Sequence, residues 1–76
     1  MPEIFRFAGT RFFFFSDEHL PIRIHVKNSD GTAKFTINPV QLIDSTGMKN
    51  KDLNIVEDMI RENEDLIELR WKEYFG

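Results

Sequence analysis

Apolar and polar residues alternate along the first half of the chain and recur every three or four residues along the second. Residues 4–7 and 10–15 form two aromatic-rich runs joined by Ala8-Gly9, and a glycine in a two-residue connection suits the positive φ of a tight hairpin. In the first run Phe5 and Phe7 share one face, while Ile4 and Arg6 share the other. The second run, Phe12 to Phe15, sets rings on both faces. Such a strand is either central and covered on both sides, or it leaves an aromatic patch for a partner or a second copy.

Residues 16–21 break the pattern and read as a loop, with Pro21 holding Leu20 extended. Residues 22–27 alternate cleanly, with Ile22, Ile24 and Val26 on one face and Arg23, His25 and Lys27 on the other. Asn28-Ser29-Asp30-Gly31 is a turn, and Asp-Gly is a strong short hairpin signal. Residues 32–37 alternate again, with Ala33, Phe35 and Ile37 inward. A two-residue turn at Asp30-Gly31 predicts Val26 opposite Phe35 and Ile24 opposite Ile37. It also sets Lys27 opposite Lys34, a like-charge pair. Asn38-Pro39 ends that strand, residues 40–43 make a short fifth one, and residues 44–47 mark a second break.

From Asn50, a candidate N-cap, the period becomes helical: Leu53, Val56 and Ile60 fall on one stripe, with Ile55 and Met59 beside it. A single helix over residues 51–74 would run about 36 Å, long for so small a domain. Asn63 followed by Glu64-Asp65 resembles a fresh N-cap with acids in the first turn, so the pattern favours two helices meeting near residues 62–64. The expected fold is α+β: an antiparallel sheet of four to five strands in two hairpins, with one or two C-terminal helices packed on one face. Residues 1–76 are expected to form a single domain, with the sheet in 1–44 and the helical part in 50–75.

Composition narrows the functional classes. A chain of 76 residues buries only about 60% of the surface its unfolded form exposes. With no cysteine, neither a disulfide framework nor a thiolate metal site supplements the core. Eight Phe, one Trp and one Tyr supply the packing instead. There is no basic leader before an apolar run, and the longest apolar run is the four phenylalanines, so the expectation is a cytoplasmic protein without a membrane span. The net charge of −3 divides into +1 over residues 1–35 (five Lys/Arg, four Asp/Glu) and −4 over residues 36–76 (five against nine), which argues against a nucleic-acid binder as a whole. No phosphate loop, dinucleotide fingerprint, nucleophile elbow or paired metal-ligand motif occurs.

The run Arg-Phe-Phe-Phe-x-Ser-x-Glu-His-x-Pro at 11–21 and Ile-His-Val at 24–26 resemble an uncharacterised prokaryotic family. So do Ala33-Lys34-Phe35 and the closing Trp71-Lys72-Glu73-Tyr74-Phe75-Gly76. The family is known as domain of unknown function four-one-six-zero, and the likeness spans nearly the whole chain. The resemblance brings no assigned reaction. It implies small bacterial proteins that often sit beside a second uncharacterised family (two-four-four-two), as in toxin–antitoxin-like gene pairs. The family's usual run is Glu-His-x-Pro-Pro-His-x-His-Val. Here Ile22 stands for the second proline and Arg23 for the middle histidine, while His19 and His25 match the other two. A metal or catalytic cluster of three histidines would lack one member in this chain.

Several chemistries compete for these residues. Asp17, Glu18, His19 and His25 offer imidazoles and carboxylates to a metal, but their spacing matches no established ligand motif. A histidine that orders the loop and a half-exposed sheet histidine explain them as well, so no metal or other cofactor is expected. In a metal-free ribonuclease-type toxin, His25 or His19 would be general acid or base, with Arg23 and Lys27 stabilising a phosphorane-like transition state. Arg23, His25, Lys27 and Lys34 share one face of the hairpin, which can dock a phosphate backbone or an acidic partner surface, or lie solvated. Trp71, Tyr74 and Phe75 either hook a partner or lock the last helix onto the sheet. The acid-rich run from Glu57 to Glu68 reads as a solvated helix face.

The primary expectation is a non-enzymatic interaction module in a toxin–antitoxin-like or regulatory pair. It would bind a small protein partner, or itself, through Arg23, Lys27, Lys34, Phe13 and Phe15. The alternative is the ribonuclease using His25, His19 and Arg23, with RNA as its partner.

Overall fold

A computed structural model describes residues 3–15 and 21–75. Five strands, β1 (Glu3–Phe7), β2 (Thr10–Phe13), β3 (Arg23–Lys27), β4 (Thr32–Thr36) and β5 (Gln41–Thr46), form one antiparallel sheet in chain order. Two helices follow, α1 (Asn50–Glu62) and α2 (Glu64–Phe75). This is the α+β architecture that the pattern predicts.

Ala8 and Gly9 both adopt positive φ, 50° and 76°, as a two-residue hairpin turn of mirror type requires. Phe7 therefore meets Thr10 and Phe5 meets Phe12. The register slips between Glu3 and Phe5, a bulge that turns both Ile4 and Phe5 toward the core. The strict alternation expected of this strand fails there, and Phe7 ends largely exposed. β2 stops at Phe13, two residues short of the predicted run.

The second hairpin has a different register from the expected one. Val26 lies opposite Ala33, Ile24 opposite Phe35, His25 opposite Lys34 and Lys27 opposite Thr32. The loop is therefore the four residues 28–31, not Asp30-Gly31 alone. Asn28 builds it: its Oδ1 accepts the N–H groups of Asp30 (2.9 Å) and Gly31 (3.0 Å), and its own N–H donates to the Gly31 carbonyl at 3.0 Å. A shift of two residues keeps every side chain on its expected face but exchanges partners. The Lys27–Lys34 repulsion is avoided, since His25 stands opposite Lys34.

β5 is longer than expected, because Asp44, Ser45 and Thr46 continue the strand rather than break it. A bulge at Ile43, between the Lys34–Asp44 and Phe35–Leu42 pairs, absorbs the change in pattern. Beyond it Gly47 bridges Thr32, with Gly31 and Gly47 in close backbone approach. α1 starts with Lys49, not Asn50, at the N-cap, and no side chain caps it. The Lys49 carbonyl takes the Leu53 N–H at 3.0 Å.

The two helices meet at Asn63, as its sequence context predicts. Its N–H caps the Ile60 carbonyl (3.1 Å), its amide Nδ2 donates to the Met59 carbonyl (2.7 Å), and its own carbonyl accepts the Ile67 N–H (2.9 Å). One asparagine thus closes α1 and opens α2. Val56 and Ile60 of α1, with Ile67 and Trp71 of α2, cover Phe12, Phe14, Ile24, Val26, Ala33 and Phe35 on one sheet face. Among the described residues no helix is long and apolar enough to cross a membrane.

Candidate functional site

Because the helices take one face, the pleat assigns the other by register. Glu3, Phe13, His25, Lys34 and Asp44 form one row across all five strands. Arg6, Arg11, Lys27 and Thr32 form the next, and Arg23 stands beside Thr36 and Gln41. Charges on this open face sum to +3: Arg6, Arg11, Arg23, Lys27 and Lys34 against Glu3 and Asp44.

Phe13 is only 5% exposed yet stands outside the core cluster. Its cover comes from its own face. The Phe15 ring meets it edge-on at 5.6 Å, His25 stacks at 5.8 Å, and the Arg11 guanidinium lies 5.6 Å from its centroid. Phe15 in turn sits 4.0 Å from the His25 ring and remains 39% exposed. The open face therefore carries a small aromatic cluster separate from the core.

A groove of about 260 Å³ runs beside it, lined by Phe13, Phe15, His25, Lys34, Asp44 and Ser45 among others. The cations around it are unevenly committed. Glu3 pairs with Arg6 and, at 3.5 Å, with Arg11, whereas Arg23, Lys27 and Lys34 form no ion pair with any described residue. Lys34 and Asp44 are cross-strand neighbours, yet the Asp44 Oδ1 accepts the Ser45 N–H at 2.9 Å. Such a surface can seat an apolar side chain and hold carboxylates around it.

The predicted site residues are thus placed unevenly. Phe13, Phe15, Arg23, His25, Lys27 and Lys34 share the open face. His19, with Asp17 and Glu18, lies outside the described residues. Among the described residues no three His, Cys, Asp or Glu side chains gather as a metal site. Asp44 and Arg11 were not expected at the site. Asp44 enters only because β5 continues through the supposed break. Arg11 stands two residues before Phe13 on the same strand, so the alternation alone places it on the face where its guanidinium meets that ring.

The aromatic residues of the last helix divide. Trp71 packs edge-on against Phe14 at 5.2 Å and meets Phe75 at 4.2 Å, so both lock α2 to the sheet. Tyr74 stays half exposed beside a second groove of about 210 Å³ with Glu3, Ile4, Phe14, Arg70 and Glu73.

Residues 9–72 match the family model described as domain of unknown function (DUF4160). The chain belongs to this family. The matched span of this DUF4160 chain takes in the whole aromatic cluster and the three cations that pair with no described residue, and leaves out all of β1. No curated protein and no solved structure matches the chain.

Proposed function

We propose that this chain is a non-enzymatic protein-interaction module, of a toxin–antitoxin-like or regulatory gene pair, that binds through its open sheet face. The observation that carries the reading is the half-exposed Phe15 ring at a groove flanked by Arg23, Lys27 and Lys34, on the face away from the core. Apolar anchors set in grooves and ringed by polar contacts are what protein interfaces use. A broad nucleic-acid footprint is less well served, since Glu3 and Asp44 flank the central row and the chain as a whole is acidic.

The test is co-expression of the tagged protein with the product of its adjacent open reading frame. A stoichiometric complex that Phe15→Ser and Lys34→Glu each weaken at least tenfold is expected. A chain that binds neither that product nor itself ends the reading.

A second reading has one observation in its favour: His25 stands directly opposite Lys34 and two residues from Arg23 on the same face. That arrangement suits a metal-free ribonuclease-type toxin in which His25 or His19 is the general acid or base and Arg23 and Lys27, either side of His25 on its strand, stabilise the phosphorane-like transition state. Growth arrest on expression, abolished by His25→Ala, is its required signature.

A further inference from the structure

The open face is positive, and the layer on the far side of the sheet is negative. α1 and α2 each sum to −2: Lys51 and Arg61 against Asp52, Glu57, Asp58 and Glu62 in the first, and Arg70 and Lys72 against Glu64, Asp65, Glu68 and Glu73 in the second. The outward surface of α1 also carries an apolar anchor. Ile55 is 45% exposed, while its neighbours Val56 and Ile60 are buried. Residues three and four apart on a helix are neighbours, so Asp52 and Asp58 flank Ile55 and Glu62 continues the stripe one turn on. Lys51, one turn back, is the basic residue of that stripe.

We infer that the partner on the open face is a second copy of this chain, whose α1 seats Ile55 in the groove beside Phe15 and sets Asp52, Asp58 and Glu62 against Arg23, Lys27 and Lys34. This rests on the interaction-module reading and names the partner. The two surfaces are complementary in both respects that matter: a half-exposed aliphatic residue faces an aromatic-lined groove, and three carboxylates face three cations that form no ion pair with a described residue.

The geometry fixes the kind of assembly. Groove and stripe lie on opposite sides of the sheet, so two copies cannot satisfy both surfaces in one two-fold contact. Each copy offers a groove on one side and a stripe on the other. The contact is heterologous and grows into an open chain, or into a ring where the rotation closes. Exposed charge pairs also make it salt-sensitive.

The experiment uses two full-length variants and analytical ultracentrifugation. One variant lacks the groove (Phe15→Ser with Lys34→Glu), and the other lacks the stripe (Ile55→Lys with Asp58→Lys). Leu69→Lys, at a similarly exposed aliphatic position on α2, is the control. Circular dichroism establishes that each is folded, and single substitutions at Phe15 and Ile55 replace any double variant that is not. The wild type and the control are expected to gain mass with concentration at about 50 mM salt and to lose it at about 500 mM. Each variant alone stays monomeric. Mixed in equal amounts they form a dimer and nothing larger, because one intact groove meets one intact stripe.

A wild type that is monomeric at every concentration overturns the inference. So does assembly that survives both variants, a mixture that forms no dimer, or assembly that disappears on nuclease treatment, which would assign the face to nucleic acid. If self-docking fails while the neighbouring gene product is still captured in a Phe15-dependent way, the interaction-module reading stands without it.

Discussion

A Cβ added to Gly31 would overlap the Thr46 carbonyl oxygen and lie 2.8 Å from the carbon bonded to it, both backbone atoms of the β5 end. Backbone cannot step aside as a side chain can, so Gly31→Ala is expected to cost about 2–3 kcal/mol, the upper part of the range for overpacking. Gly9 gives the contrast. A Cβ there meets nothing within 4 Å, but φ is +76°, so Gly9→Ala is expected to cost about 1 kcal/mol from conformation alone. Urea midpoints order the two, and a larger loss at Gly9 would refute the close approach of the two loops. The phenylalanine run gives a second ordering. Phe12 is fully buried in the core and Phe13 nearly so outside it, whereas Phe15 is not. Phe12→Ala and Phe13→Ala are both expected to cost about 3–5 kcal/mol, and Phe15→Ala roughly 1 kcal/mol or less. If Phe13→Ala proves as mild as Phe15→Ala, the separate aromatic cluster on the open face is disproved. The period of two told which rings share a face. It also puts Arg11 and Phe15, two residues either side, on the face of Phe13, but not His25, which reaches Phe13 only through the β2–β3 pairing.

Local rules decided where the elements could be read. The Ala8-Gly9 hairpin and the helix joint at Asn63 were legible because each depends on side-chain and backbone preferences within a few residues. The β3–β4 register was not, since Asp-Gly suggested a two-residue turn while Asn28 formed a longer loop with two bonds from its own side chain. Alternation could not arbitrate, as a slip of two preserves both faces. The turn-like composition of Asp44-Ser45-Thr46-Gly47 predicts an early end to β5, and only the Thr32–Gly47 bridge and the bulge at Ile43 account for its extension. Asp44 joined the site for that reason alone. Asn28→Ala removes both side-chain bonds of the loop and is expected to cost about 1–2 kcal/mol. Asn28→Asp keeps an acceptor and should lose much less. Equal losses in thermal or urea melts would mean that the loop is not held by that oxygen.

At the scale of the whole molecule, the helices have little support of their own. The helical path breaks at Asn63, and helices of 13 and 12 residues are marginal in isolation. Their hold on the sheet passes through a few large side chains, with Trp71 against Phe14 and Phe75 at one end and Val56, Ile60 and Ile67 along the rest. A chain of this length is stabilised by roughly 4–11 kcal/mol, and loss of a buried Trp side chain costs about 3–5 kcal/mol. Trp71→Ala is therefore expected to leave much of the population unfolded at 37 °C, and Trp71→Phe to lower the midpoint while keeping the fold. Trp71 is the chain's one tryptophan, so its fluorescence reports the helix–sheet contact while far-ultraviolet circular dichroism reports the helices themselves. If sheet and helices share one core, the two signals trace a single transition in urea. Should ellipticity persist after the fluorescence has changed, α1 and α2 would hold without the sheet, and the single shared core would be refuted.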